Sequence, residues 1–137
     1  MSLRVVSLAG RDNVFGQAVW LLVGDLAEAN AWGRERFRKW GAEDERDGMA
    51  SGIWRVRWTR EGERREWAIW MRSFDYGWMD VVTLAHESLH VAISVLGSCG
   101  VQLGGAAEEV LAYYQGFLVY AALDVLQAPA APAYVPH

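Results

Sequence analysis

The first half of the chain carries short-period apolar patterns of the kind that β-strands produce. The clearest pattern is an alternation in which Trp54, Val56 and Trp58 face one way and Arg55 and Arg57 face the other. A polar turn then leads into a run that is apolar on both faces, as expected for a hairpin. This half therefore predicts strands over residues 3–8, 18–23, 53–59 and 66–72, and a helix over residues 26–40 with Asp25 as its N-cap.

The second half predicts two long helices. An apolar segment runs from Asp80, a candidate N-cap, to a stop at Gly97. After a glycine-rich linker, a second apolar segment covers residues 106–127. We therefore expect an α+β fold with a small, mainly antiparallel sheet packed on the first of these helices and the second helix alongside. Residues 1–127 are predicted to form one domain, and residues 128–137 an extended Ala/Pro-rich tail.

Composition supports a globular domain. Hydrophobic residues make up 53% of the 137 residues and there are eight tryptophans, which excludes a disordered chain. The net charge of -4 argues against nonspecific binding to nucleic acid. Ten of the thirteen Lys and Arg residues lie between Arg34 and Arg65, and none follows Arg72. Nucleic-acid contact through that basic segment is the weakest alternative, because acidic residues interleave with it, and the acidic second half suits a cation site.

The sequence predicts a cytoplasmic protein that is not embedded in a membrane. Cys99 is the sole cysteine, so the chain can form no intrachain disulfide. The N-terminus lacks the apolar core of a signal peptide. The most apolar stretch, residues 110–126, is interrupted by Gln115 and Asp124 and is too short to predict a membrane span.

The chemistry in this sequence centres on His86-Glu87-Ser88-Leu89-His90, an H-E-x-x-H motif. In a helix, a spacing of four residues puts both imidazoles on one face, where they can bind the same Zn2+ ion. Glu87 lies about 100° round the helix from His86, beside the metal position, as a general base for a zinc-bound water does. The competing interpretation is a pair of core histidines satisfied by hydrogen bonds.

A catalytic zinc site usually has three protein ligands, so a third donor is expected. Cys99 is a minor candidate, and the better donors are Glu108 and Glu109, early in the second long helix. Glu109 shares a side with the small residues Ala112 and Gly116, so that face could approach the motif helix closely. This periodicity favours Glu109 and leaves Glu108 as the alternative.

The motif, eighteen intervening residues and then Glu109 resemble the gluzincin branch of the zincin metallopeptidases. The whole chain also looks like the minimal zincin-like proteins often encoded by phages and prophages. The resemblance implies a zincin-like fold in which His86, His90 and Glu109 hold Zn2+. It also implies that Glu87 activates the zinc-bound water for attack on a peptide carbonyl.

The resemblance implies a peptide or protein substrate, and an extended substrate could add to an exposed edge strand, for which we expect residues 66–72. Gluzincins often supply an oxyanion-stabilising side chain, and Tyr76, Tyr113 and Tyr114 are the candidates here. The alternative function is that of a catalytically weak zincin-like protein that binds metal and acts as a regulator.

Overall fold

The computed structural model describes residues 3–8, 18–37, 40, 51–59, 62–102, 104 and 107–127. These residues form an α+β fold, which confirms the predicted class at that level. The predicted tail, residues 128–137, lies outside this set. In chain order the elements are β1 (Arg4–Ser7), β2 (Ala18–Val23), α1 (Leu26–Arg36), β3 (Ser51–Thr59), β4 (Gly62–Met71), α2 (Trp78–Ser98) and α3 (Ala107–Gln127).

The four strands form one mixed sheet in the order β1-β2-β4-β3. Strands β2 and β4 are parallel, and the other two pairs are antiparallel. Because β4 pairs on both sides, the expectation that residues 66–72 form an exposed edge is wrong. The physical reason is visible in the sequence pattern: Trp67 and Trp70 point to opposite faces and both are fully buried, as in an inner strand. Among the described strands, β1 and β3 form the two edges.

Helices cover both faces of the sheet. Helix α1 packs on the face that carries Trp54, Val56 and Trp70. Helices α2 and α3 pack on the other face, against a core that includes Trp67 and Ile69. The predicted alternation is confirmed for Trp54 and Val56, which are buried, whereas the side chains of Arg57 and Trp58 lie outside the described part.

Helix α1 ends at Arg36, earlier than the predicted residue 40. The chain turns extended at Phe37, and its ring stacks on Trp40 with centroids 5.5 Å apart. Trp40 in turn contacts Trp54 of the sheet at 4.7 Å. Phe37 and Trp40 thereby join the buried cluster that contains Trp54, so burial of these rings overrides helix propensity here.

Helix α2 starts at Trp78 with Gly77 as its N-cap, so the prediction of Asp80 as N-cap is wrong. Asp80 lies in the first turn instead, where its carboxylate accepts the backbone N–H of Asp75 at 2.8 Å. Among the described helices, α2 is long and apolar enough by length and composition to cross a membrane. That criterion is weak, because the core helix of a soluble protein also meets it, and α2 buries one side against the sheet.

Helix α3 is held in place by packing in the core and by hydrogen bonds from β1. Its stripe of Tyr114, Leu118 and Ala122 enters the core that α2 shares. At its C-terminal end, the Arg4 guanidinium donates to the carbonyl oxygens of Val125 (2.7 Å) and Leu126 (3.0 Å). A cation at this end of a helix is favourable, because the last carbonyls have no partner within the helix.

Candidate metal centre

Helix α2 brings the two motif histidines together on its exposed side. The Nε2 atoms of His86 and His90 lie 3.1 Å apart, and the ring centroids are separated by 4.7 Å. Both side chains are exposed, so their nitrogens are open to solvent. The prediction that both rings project from one helix face is confirmed.

The spacing of these nitrogens can be compared with that required by zinc. Tetrahedral Zn2+ with Zn–N bonds of about 2.0–2.1 Å requires two ligand nitrogens about 3.3–3.4 Å apart. The observed 3.1 Å differs from this by a few tenths of an ångström. A hydrogen bond between two neutral imidazoles gives the same separation, with one ring donating and the other accepting. The donor type and geometry therefore fit zinc, and metal titration distinguishes the two interpretations.

Glu87 lies beside the histidine pair and is buried. It is 6% exposed, and its Oε1 atom lies 4.0 Å from Nε2 of His86. The Ser51 hydroxyl donates to the same carboxylate oxygen at 3.2 Å. A buried carboxylate is costly unless it is hydrogen-bonded, so Ser51 helps to keep this acid next to the exposed histidines. No local signal pointed to Ser51, because it lies 36 residues away along the chain, at the start of β3.

The structure does not bring a third donor to the histidine pair among the residues that it describes. No group of three His, Cys, Asp or Glu side chains able to hold a metal occurs within this part of the chain. Glu108 and Glu109 are both exposed in the first turn of α3, and Cys99 is exposed at the C-cap of α2.

The packing argument that favoured Glu109 is wrong. The side of α3 that Glu109 shares with Tyr113 and Tyr120 faces solvent, since these tyrosines are 76% and 71% exposed. The small residues Ala112 and Gly116 on this side predict a close contact with α2, but both are exposed and make no such contact. Support for Glu109 as a ligand now rests on the gluzincin-like spacing alone, and its role stays a prediction.

Helix α3 contacts α2 through the side that carries Gln115. The amide of Gln115 donates to the carbonyl oxygen of Ala85 at 3.0 Å. Glu108 precedes Gln115 by seven residues, about two turns, and therefore lies on nearly the same side of α3. Ala85 immediately precedes His86, whose side chain projects about 100° further round the helix. Helix α3 thus adjoins a side of α2 different from the one that carries the histidines.

Alanine variants test the third ligand directly. If Glu109 binds the metal, Glu109→Ala should weaken zinc affinity by at least about 100-fold, since loss of residues that merely support ligands costs about 10- to 100-fold. Glu108→Ala is the matched control and should stay within about twofold. Competition titration with a chromogenic chelator gives both affinities. The reverse result assigns Glu108, and unchanged affinity in both variants removes α3 from the site.

The three candidate tyrosines for an oxyanion role are separated in the fold. Tyr114 is 3% exposed and belongs to the core, whereas Tyr113 projects into solvent from α3. Tyr76 lies just before α2, with a backbone φ of 63° in the left-handed region that non-glycine residues rarely adopt. Packing in the core accounts for Tyr114. Among the described contacts, none links Tyr76 or Tyr113 to the histidine pair.

The chain was compared with family models, with curated proteins and with solved structures, and no match was found in any of the three comparisons. The functional argument therefore rests on the geometry of the site.

Proposed function

We propose that the protein is a zinc-dependent peptide-bond hydrolase with a zincin-like fold. The observation that carries the proposal is the arrangement at the exposed side of α2. Two imidazole nitrogens lie 3.1 Å apart, and a buried carboxylate is fixed 4.0 Å from one of them. A histidine pair alone fits many metal sites, but the adjacent carboxylate supplies the base that hydrolysis needs.

In this proposal His86 and His90 hold Zn2+, with Glu109 as the predicted third ligand and Glu108 as its alternative. A bound zinc ion supplies Lewis acidity, which polarises a substrate carbonyl and lowers the pKa of water. Glu87 takes a proton from the attacking water molecule. Its hydrogen bond from Ser51 orients the carboxylate toward the histidine side and limits its rotation.

The substrate is proposed to lie along β3. This strand forms an edge of the sheet within the described part, and its first residue, Ser51, contacts Glu87 of the motif. An extended peptide can add to the edge strand of a sheet. A peptide bound there would pass next to the base and the two histidines.

A catalytically weak metal-binding or regulatory protein is the second candidate. The observation that favours it is that the described residues bring only two metal donors together. Such a site would bind zinc more weakly than a three-ligand site and would leave Glu87 without a metal-activated water to deprotonate.

Zinc content and peptide cleavage, measured on the same samples, test the proposal. We expect the wild-type protein to bind one zinc per chain and His90→Ala to bind it at least about 100-fold more weakly, since even supporting residues contribute about 10- to 100-fold. Cleavage of a peptide library should stop with a chelator and return with added zinc. Absence of zinc binding in the wild type would refute the metal site, and zinc binding without cleavage would favour the second candidate.

A further inference from the structure

A cleft of about 760 Å³ opens between α2 and the sheet, at the histidine side of the helix. His90 and Ile93 line it from α2, and Arg55 and Arg65 line it from the two strands β3 and β4. Both arginines are exposed, and no carboxylate lines the cleft within the described residues. His90, one of the two candidate metal ligands on α2, and two guanidinium groups therefore line the same cavity.

The strand register explains why both arginines point toward α2. Arg55 of β3 is opposite Trp67 of β4, and the indole N–H of Trp67 donates to the Ser94 hydroxyl of α2 at 2.9 Å. Arg65 precedes Trp67 by two residues, so it lies on the same face of the sheet. The contact between Trp67 and Ser94 holds the helix against this face and keeps the two arginines at the border of the cleft.

We propose that Arg55 and Arg65 bind a carboxylate of the peptide substrate, either an acidic side chain or a free C-terminus. This inference rests on the proposed function for its placement near the scissile bond. Guanidinium groups suit the task because they bind carboxylates through paired, charge-assisted hydrogen bonds. The overall charge of -4 gives no general attraction for anions, so a preference for acidic peptides would have to arise locally.

The fold also limits how far this carboxylate lies from the scissile bond. Ser51 contacts Glu87, and Arg55 is four residues further along β3, or about 13 Å at about 3.3 Å per residue. An extended peptide along the strand covers this distance in about four residues. The acidic group is therefore placed within about four residues of the bond that is cleaved.

Peptide binding to the metal-free, full-length protein tests the inference without relying on catalysis. Two amidated peptides that differ only by Glu or Gln at one position are compared by calorimetry, and the Gln peptide with a free C-terminus is the third arm. Scanning the Glu position along the peptide locates the acidic group. We expect at least about tenfold tighter binding of one carboxylate-bearing peptide, decreasing at high salt.

The double variant Arg55→Gln/Arg65→Gln should lose this preference and bind the neutral peptide as the wild type does. Arg34→Gln, which changes the charge of an exposed residue on α1 at the opposite face of the sheet, is the matched control and should retain it. Equal binding of all three peptides, or no binding, overturns the inference. A preference that persists in a protein without zinc affinity or cleavage would support the carboxylate site and refute the proposed hydrolase instead.

Discussion

Replacing Glu87 by glutamine is expected to lower kcat/KM for peptide cleavage by about 100- to 10,000-fold, the usual range for loss of a general base. The amide cannot accept a proton from water at neutral pH. Zinc affinity should change little, since the carboxylate lies beside His86 at 4.0 Å and is not predicted to be a ligand. Hydrolysis and metal binding should therefore separate in this variant.

The substitution is a clean test because the fold should tolerate it. Glutamine has nearly the same shape as glutamate, and its amide oxygen can still accept the hydrogen bond from Ser51. Replacing a buried carboxylate with a neutral amide also removes the cost of keeping a charge away from water. We expect an unchanged circular dichroism spectrum and a midpoint of unfolding at or above the wild-type value.

Asp124→Asn is the matched control, because it makes the same chemical change at an exposed carboxylate of α3. Its steady-state kinetics and zinc titration should equal those of the wild type. Full activity of Glu87→Gln would remove this residue from the mechanism. Loss of zinc together with activity would instead assign Glu87 to the metal.

Most of the secondary structure and the histidine pair of the site could be predicted from local sequence signals. The apolar run over β2 and the long helix α3 lie within one residue of their predicted bounds, and the N-cap of α2 lies three residues before the predicted one. The histidine pair also follows from local geometry, because a helix with 3.6 residues per turn brings positions four apart together whatever surrounds it. Predictions of this kind need no knowledge of the rest of the fold.

The errors concern contacts between elements that are distant in the sequence. A hairpin pattern does not determine strand order, so the prediction of β4 as an edge strand misses its parallel pairing with β2. The predicted contact face of α3 is wrong, because small residues do not mark the side that meets α2. Gln115 makes the described polar contact instead, while Ala112 and Gly116 are exposed.

Gly33→Ala is expected to destabilise the protein by about 3 kcal/mol, the upper part of the usual range for overpacking a core. Gly33 is buried in α1, and a Cβ atom built there would lie 2.0 Å from Cδ2 of Trp40. Helix propensity favours alanine by only about 1 kcal/mol, so it cannot offset such an overlap.

Trp40 has little freedom to move away from the added methyl group. Its ring stacks on Phe37, contacts Trp54 at 4.7 Å and donates its indole N–H to the Asn30 side chain at 2.9 Å. Displacing the ring would therefore break the aromatic cluster between α1 and the sheet together with a hydrogen bond. For this reason we expect the substitution to lower the free energy of unfolding and to alter the near-ultraviolet circular dichroism of the tryptophans.

Gly116→Ala is the matched control for this prediction. Gly116 also lies within a helix, but no atom is within 4 Å of a Cβ built there, so alanine should stabilise the protein by about 0.5–1 kcal/mol. Urea unfolding followed by tryptophan fluorescence measures both free energies. Opposite signs for the two variants would show that close packing of Trp40 on Gly33 joins α1 to the sheet. A neutral or stabilising Gly33→Ala would contradict that contact and the placement of the aromatic cluster.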